Sequence, residues 1–277
     1  MRLALILSAI LASTGPLCAE PGQRVFFTGN SFLMRSVEMF PQIVGAAGIT
    51  DHRVAGTMLL GGTRASTLWA MPDAENPAKA ALRAGGVDVL TTCSWRQLPD
   101  PGIDAFVDLG LKQNPKFRVT VEEIWMAYDH PNASNPEKRA VTPWEDATAE
   151  TLTAIHAGYF RDLRAQVGAI NRRHGRQVAL IVPTGHACIA LREQIRLGKV
   201  PGIAKQGELF TDMTGHPAHA LALLNAYCHF AVIYGRSPAG LAAPEAIRPV
   251  DDRFREPLAR LLQEIAWDAA TKHSRRE

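Results

Sequence analysis

Val25-Phe26-Phe27-Thr28-Gly29-Asn30-Ser31-Phe32-Leu33 is the stretch from which the rest of the chain can be read. Val25 to Thr28 is a β-branched and aromatic run of the kind that fills a buried strand. Gly29 permits a tight turn, and from Phe32 to Ala47 the pattern becomes that of a helix. A strand that passes into a helix within a few residues predicts a crossover unit, and the same alternation continues. Val54 to Leu60, Val87 to Thr92, Arg118 to Met126 and Gln177 to Pro183 read as further strands. Helical stretches fall near Pro77 to Ala84, Ile103 to Gln113 and Ala147 to His174, and two closing helices around Ala218 to Tyr234 and Asp252 to Lys272. The alternation predicts an α/β fold with a mostly parallel sheet covered on both faces.

With 277 residues, 47% of them hydrophobic and 21% charged, the chain can bury a substantial core without disulfides. No shift of composition marks a boundary, so residues 20–277 are expected to form a single domain. The net charge of +3 comes from interspersed acids and bases, which argues against a nucleic-acid partner. Arg2, the apolar run Leu3 to Ala12 and the exit Leu17-Cys18-Ala19 have the layout of a secretory signal peptide over residues 1–19. That run is too short to span ~30 Å of hydrocarbon, and no later apolar run reaches the length of a span. The expected location is therefore periplasmic or secreted, with no membrane association once the signal is removed. Removal leaves Cys93, Cys188 and Cys228, an odd count that requires a free thiol or an intermolecular bridge.

The end of a parallel strand faces the crevice where α/β proteins bind ligands. A serine at the helix start just beyond it is exposed, and its backbone N–H points outward, where an oxyanion can be held. By itself Asn30-Ser31 is also an ordinary N-cap, worth ~1 kcal/mol to its helix. The segment Phe210-Thr211-Asp212-Met213-Thr214-Gly215-His216-Pro217 shifts the weight, because it carries an acid and a histidine four residues apart in a Gly- and Pro-marked loop. A nucleophilic serine needs a base, and the base needs an acid to fix its tautomer.

Together the two motifs resemble the SGNH, or GDSL, hydrolase superfamily. Its first block is matched by Gly29-Asn30-Ser31, and its last block by Asp212 and His216 ahead of the final helices. The run from Asn225 to Phe230, then Tyr234 to Leu241, also looks like the ending of some bacterial members. The resemblance implies a flavodoxin-like three-layer α/β/α sandwich, the SGNH hydrolase fold. It implies ester hydrolysis through an acyl-serine, with Ser31 as nucleophile, His216 as base, Asp212 as orienting acid and no cofactor. It further implies an oxyanion hole made of the Ser31 N–H, a glycine N–H from a second block and an asparagine side chain from a third. Gly62, in the Gly61-Gly62 pair after the second strand, suits the glycine role.

Two positions depart from the pattern. Met213 stands where the family's acid is expected, with Asp212 one residue earlier. The third block reads Cys93-Ser94-Trp95-Arg96-Gln97, without Gly-x-Asn. Gln97 has a side-chain amide for the third donor, and Arg96 or Ser94 are the chemical substitutes; sequence does not choose among them.

Asn30 beside the nucleophile, and Asp129 and His130 beyond the fourth strand, are the candidates for touching substrate, and Tyr128 adjoins them. His186 also falls at a strand end. His216 and His219 are spaced as a metal pair on a helix would be, but no third ligand accompanies them, and no metal is expected. Cys93 lacks the flanks of a nucleophile and reads as a buried thiol. Glu122 and Glu123 point to opposite faces of their strand and cannot act as a couple. The resemblance implies a small-molecule or carbohydrate ester as substrate. The contrasting expectation is a non-catalytic carbohydrate-binding relative that keeps the fold with a degenerate oxyanion hole.

Overall fold

The computed structural model describes residues 21–129, 144–245 and 251–273. The expected signal segment, His130 and most of the loop from Asp129 to Glu145 lie outside the described residues.

Among the described residues five strands form one sheet: β1 (Arg24–Gly29), β2 (Arg53–Leu59), β3 (Val89–Cys93), β4 (Arg118–Glu122) and β5 (Ala179–Val182). Their order is β2-β1-β3-β4-β5, and every pairing is parallel. β3 and β5 are buried along their whole length, as strands covered on both faces must be, and only edge strand β2 is largely accessible. Among the described residues eight α-helices accompany them: α1 (Ser31–Ala46), α2 (Ala65–Ala70), α3 (Pro77–Arg83), α4 (Pro101–Gln113), α5 (Ala149–His174), α6 (Thr184–Arg196), α7 (His219–Tyr234) and α8 (Arg255–His273). α1 packs on α7 and α7 on α8, while α2 and α3 pack on α4. With right-handed crossovers, the step from β1 out to β2 and the steps from β2 back through β3 to β5 place these two groups on opposite faces. The result is the three-layer α/β/α arrangement.

Three elements differ from the sequence reading. β4 ends at Glu122 instead of continuing to Met126. Its backbone leaves the sheet because α5 captures it: the Ile124 N–H donates to Tyr159 Oη at 2.9 Å and the Met126 N–H to His156 Nε2 at 2.8 Å. α2 and α6 are helices where none was expected. α7 is buried at every position from Ala220 to Tyr234.

The sheet order fixes where a ligand crevice must lie. The chain leaves β1 in one direction toward β2 and later returns on its other side to β3, so the switch point lies beside the carboxyl end of β1. Ser31 begins the helix that follows that end.

Candidate active site

The turn at the end of β1 is built around Gly29, whose φ is +156°. A Cβ there would lie 2.8 Å from Cys93 Sγ and 3.3 Å from Leu33 Cδ2, so only glycine fits. Asn30 is extended and caps α1: its Oδ1 accepts from the Phe32 N–H at 3.0 Å. Its Nδ2 donates to the Thr63 carbonyl at 3.3 Å, and its backbone N–H to Cys93 Sγ at 3.1 Å. With 1% exposure and both ends of its amide engaged, Asn30 is a structural cap and not a substrate contact, which corrects the sequence reading. Ser31 is the first residue of α1, where the backbone N–H has no intrahelical acceptor.

The second block is tied to the first. Gly29 O accepts from the Leu60 N–H at 2.9 Å, and the Thr63 hydroxyl donates to Leu60 O at 2.7 Å. Gly62 lies in this exposed turn in the left-handed region, with φ at +69°.

Asp212 and His216, the expected acid and base, arrive on one tight loop. An antiparallel bridge joins Phe210 to Pro217, and the Thr211 N–H donates to His216 O at 2.8 Å. Inside it, Asp212 Oδ1 accepts from the backbone N–H groups of Thr214 at 2.9 Å, Gly215 at 3.1 Å and His216 at 3.3 Å. Asp212 Oδ2 lies 2.6 Å from His216 Nδ1, and His216 Nε2 lies 2.8 Å from Ser31 Oγ. A carboxylate on Nδ1 selects the tautomer that leaves Nε2 free to accept the serine proton. Partial burial alone raises the Asp212 carboxyl; the bonds from the His216 ring, its backbone N–H and Gly215 outweigh it and hold the group below its ordinary range.

Aromatic packing sets the position of the ring. Phe32, next to the serine, stacks on Trp125 at 5.1 Å and meets His216 edge-on at 5.3 Å. Trp125 Nε1 donates to Gly215 O at 2.9 Å, so one indole braces both the helix start and the base-bearing loop. Sequence reading missed Trp125. Its signal was its place, three residues past the end of β4.

The other candidates separate. Ser94 is buried, its hydroxyl bonded to Glu122 O at 2.9 Å and Tyr159 Oη at 2.6 Å, so it is not an oxyanion donor. Gln97 is exposed on the turn after β3, and Arg96 lies half-buried beside the Trp95 ring. Burial lowers the Arg96 guanidinium below its ordinary range. Trp95, Arg96, Trp125, Met126 and Tyr159 line a small cavity at the ends of β3 and β4. Asp129, expected to touch substrate, is buried in an ion pair with Arg192, because a carboxylate at that depth needs a partner. Tyr128 Oη lies 3.0 Å from Thr214 Oγ1, on the base-bearing loop.

His186 pairs with the buried carboxylate of Glu123 at 2.6 Å and stacks on Phe160 and His273, away from any nucleophile in this set of contacts. Both ring nitrogens of His216 are engaged by Ser31 and Asp212, so a pairing with His219 on a metal has no nitrogen to use. Cys93, Cys188 and Cys228 are all free and buried.

No protein-family model and no curated protein matches the chain. Among solved structures, a DUF4886 family protein from Bacteroides uniformis ATCC 8492 is similar over 91% of this chain and 95% of its own, with 15% identity and a TM-score of 0.59. An SGNH hydrolase candidate from Slackia heliotrinireducens aligns over 75% of this chain and 96% of its own, at 15% identity and TM-score 0.45. A GDSL-like lipase candidate from Parabacteroides merdae ATCC 43184 aligns over 76% and 94%, at 11% identity and TM-score 0.46. At these identities the likeness to the DUF4886 structure is one of fold: the same α/β architecture over nearly the whole of both chains.

Proposed function

We propose that the protein is an exported, serine-dependent ester hydrolase of the SGNH/GDSL type. The observation that carries this reading is the unbroken relay from Ser31 Oγ to His216 Nε2 at 2.8 Å and from His216 Nδ1 to Asp212 Oδ2 at 2.6 Å. In the reaction, Ser31 Oγ attacks the ester carbonyl as its proton passes to His216 Nε2. The carbonyl oxygen becomes an oxyanion facing the Ser31 N–H, with the Gly62 N–H as second donor and the Gln97 amide as candidate third. Each such donor typically contributes ~3–4 kcal/mol to the transition state. Collapse expels the alcohol, which takes the proton from Nε2. Water then enters, gives its proton to Nε2 and attacks the acyl-serine; collapse releases the acid as Ser31 Oγ takes the proton back from Nε2. The substrate is a small-molecule or carbohydrate ester.

A fluorophosphonate probe tests the assignment, since it reacts only with an activated serine. Labelling of the native chain that disappears in Ser31→Ala is the expected result, with turnover of a p-nitrophenyl ester falling roughly a millionfold. A native chain that binds carbohydrate esters but takes no label would instead mark a non-catalytic binding protein.

A further inference from the structure

The buried ion pair of Arg192 and Asp129 lies outside the relay, yet its contacts lead back to it. Arg192, on α6, is only 2% exposed at its side chain and Asp129 3%. The guanidinium grips the carboxylate with two bonds, Nη1 to Oδ1 and Nη2 to Oδ2, each 2.7 Å. Its Nε donates to Gln206 Oε1 at 2.6 Å, and Nη2 also reaches the Trp144 carbonyl at 3.2 Å. The cation lies 5.4 Å from the Trp144 ring centre and 5.5 Å from that of Phe210, two rings stacked on each other. Phe210 is the residue from which the acid–base loop springs, through its bridge to Pro217.

The second route runs through the backbone. Tyr128 and Asp129, with φ of 58° and 48°, are the non-glycine residues in the left-handed region among the described residues. Such conformations are strained and persist where surrounding contacts impose them. Here the imposing contact is the Arg192 fork on Asp129. The turn it holds presents Tyr128 to the acid–base loop: the Tyr128 N–H donates to Thr214 O at 3.2 Å and its hydroxyl lies 3.0 Å from Thr214 Oγ1. Thr214 sits between Asp212 and His216, and its own N–H is one of the three that bind Asp212. One cation thus fixes the loop at its root through Phe210 and at its tip through Asp129, Tyr128 and Thr214.

We propose that Arg192 and Asp129 are positioning residues for the base: a buried, bidentate clamp that sets the register of the Asp212–His216 loop against Ser31. The proposal rests on the hydrolase reading for its consequence in catalysis, but the clamp itself is a claim about geometry. Removing one partner would strand a buried charge and endanger folding, so the test exchanges both. The double variant Arg192→Met with Asp129→Asn keeps bulk, removes both charges and retains a residue that tolerates the left-handed turn. Tyr128→Phe is the milder second variant, removing only the hydroxyl contact with Thr214.

The readout is the His216 Nδ1–H resonance in the proton NMR spectrum, which stays downfield and slow to exchange while the Asp212 bond is held. It is to be lost or broadened in the folded double variant and weakened in Tyr128→Phe. Fluorophosphonate labelling of Ser31 is to slow by on the order of 100-fold in the double variant, the scale expected when a reacting group is misplaced by about an ångström. A folded variant, either of the two, whose resonance matches the native one overturns the clamp. A native chain that takes no label, while its variants still lose the resonance, sinks the hydrolase reading and leaves the clamp standing.

Discussion

At Ser31 a helix start and the hydroxyl proposed as nucleophile occupy one position, and the residues on either side divide the labour. Asn30 caps the helix and is buried, which leaves Ser31 free of that duty, and Phe32 packs on Trp125 and the His216 ring. Asp212→Asn removes the acceptor that selects the His216 tautomer. It is expected to lower kcat about 10⁴-fold with little change in KM, measured on a p-nitrophenyl ester. Because the Asp212 side chain is 46% exposed, the melting temperature of that variant is expected to stay near the native value. Gly62→Ala meets no neighbour within 4 Å but must hold a left-handed φ, at a cost of ~1–2 kcal/mol. The expected outcome is a folded protein with kcat/KM reduced about tenfold; native activity would remove Gly62 from the oxyanion hole. Ser31, Asp212 and His216 were legible in the sequence because Gly and Pro mark the turns that carry them. Asn30 and Asp129 were misread for a physical reason. A polar residue at a strand end either faces a ligand or satisfies a buried partner, and those partners, Thr63 and Arg192, stand 33 and 63 positions away.

Among the elements, β1 and its helix declared themselves through a change of hydrophobic period, whereas the end of β4 did not. Ile124 and Met126 continue the apolar pattern of the strand, but their N–H groups bond to α5 side chains, which no local pattern reports. α6 could have been read: Ala187, Cys188, Leu191 and Ile195 are buried at helical spacing, obscured by the Pro183-Thr184-Gly185 turn signal before them. His156 links α5 to the backbone beyond β4, donating from Nδ1 to Leu152 O and accepting the Met126 N–H at Nε2. Burial outweighs the Leu152 bond and pushes this imidazole down to about 4, against an ordinary 6.5. The unfolded chain therefore takes up the proton first on acidification. The contribution, ~3 kcal/mol, is complete above pH 6.5 and is lost as the pH falls toward 4. Urea unfolding of His156→Gln, which cannot titrate, checks the sign: its deficit relative to the native chain should narrow between pH 6.5 and 4. A deficit that stays constant or widens would contradict it.

Across the molecule, the parallel sheet with its order reversal at β1 gathers the ends of β1, β2, β3 and β4 at one rim, and the last-built loop is laid over them. The sequence carried the fold class, since strand–helix alternation admits few topologies, but not the sheet order, which depends on which strands pair. It also left the cysteines open. Cys93, Cys188 and Cys228 are free and buried, and burial pushes the Cys188 thiol up to about 12. A thiol-exchange reagent is expected to reach none of these three in the native protein and all of them after denaturation; one reacting natively would indicate local opening. If the chain is exported as proposed, amino-terminal sequencing of the processed protein should begin at Glu20, after the Ala19 exit.

Asp212 and His216 sit on a single short loop closed at its neck by the bridge from Phe210 to Pro217. Acid and base are therefore inherited as one piece: length changes elsewhere in the chain can tilt or shift this piece, but they cannot alter the spacing of the two groups within it. Grafting Phe210 to Pro217 onto another parallel-sheet scaffold would transfer a ready-spaced acid–base couple, leaving its seating against a serine as the only geometry to be designed.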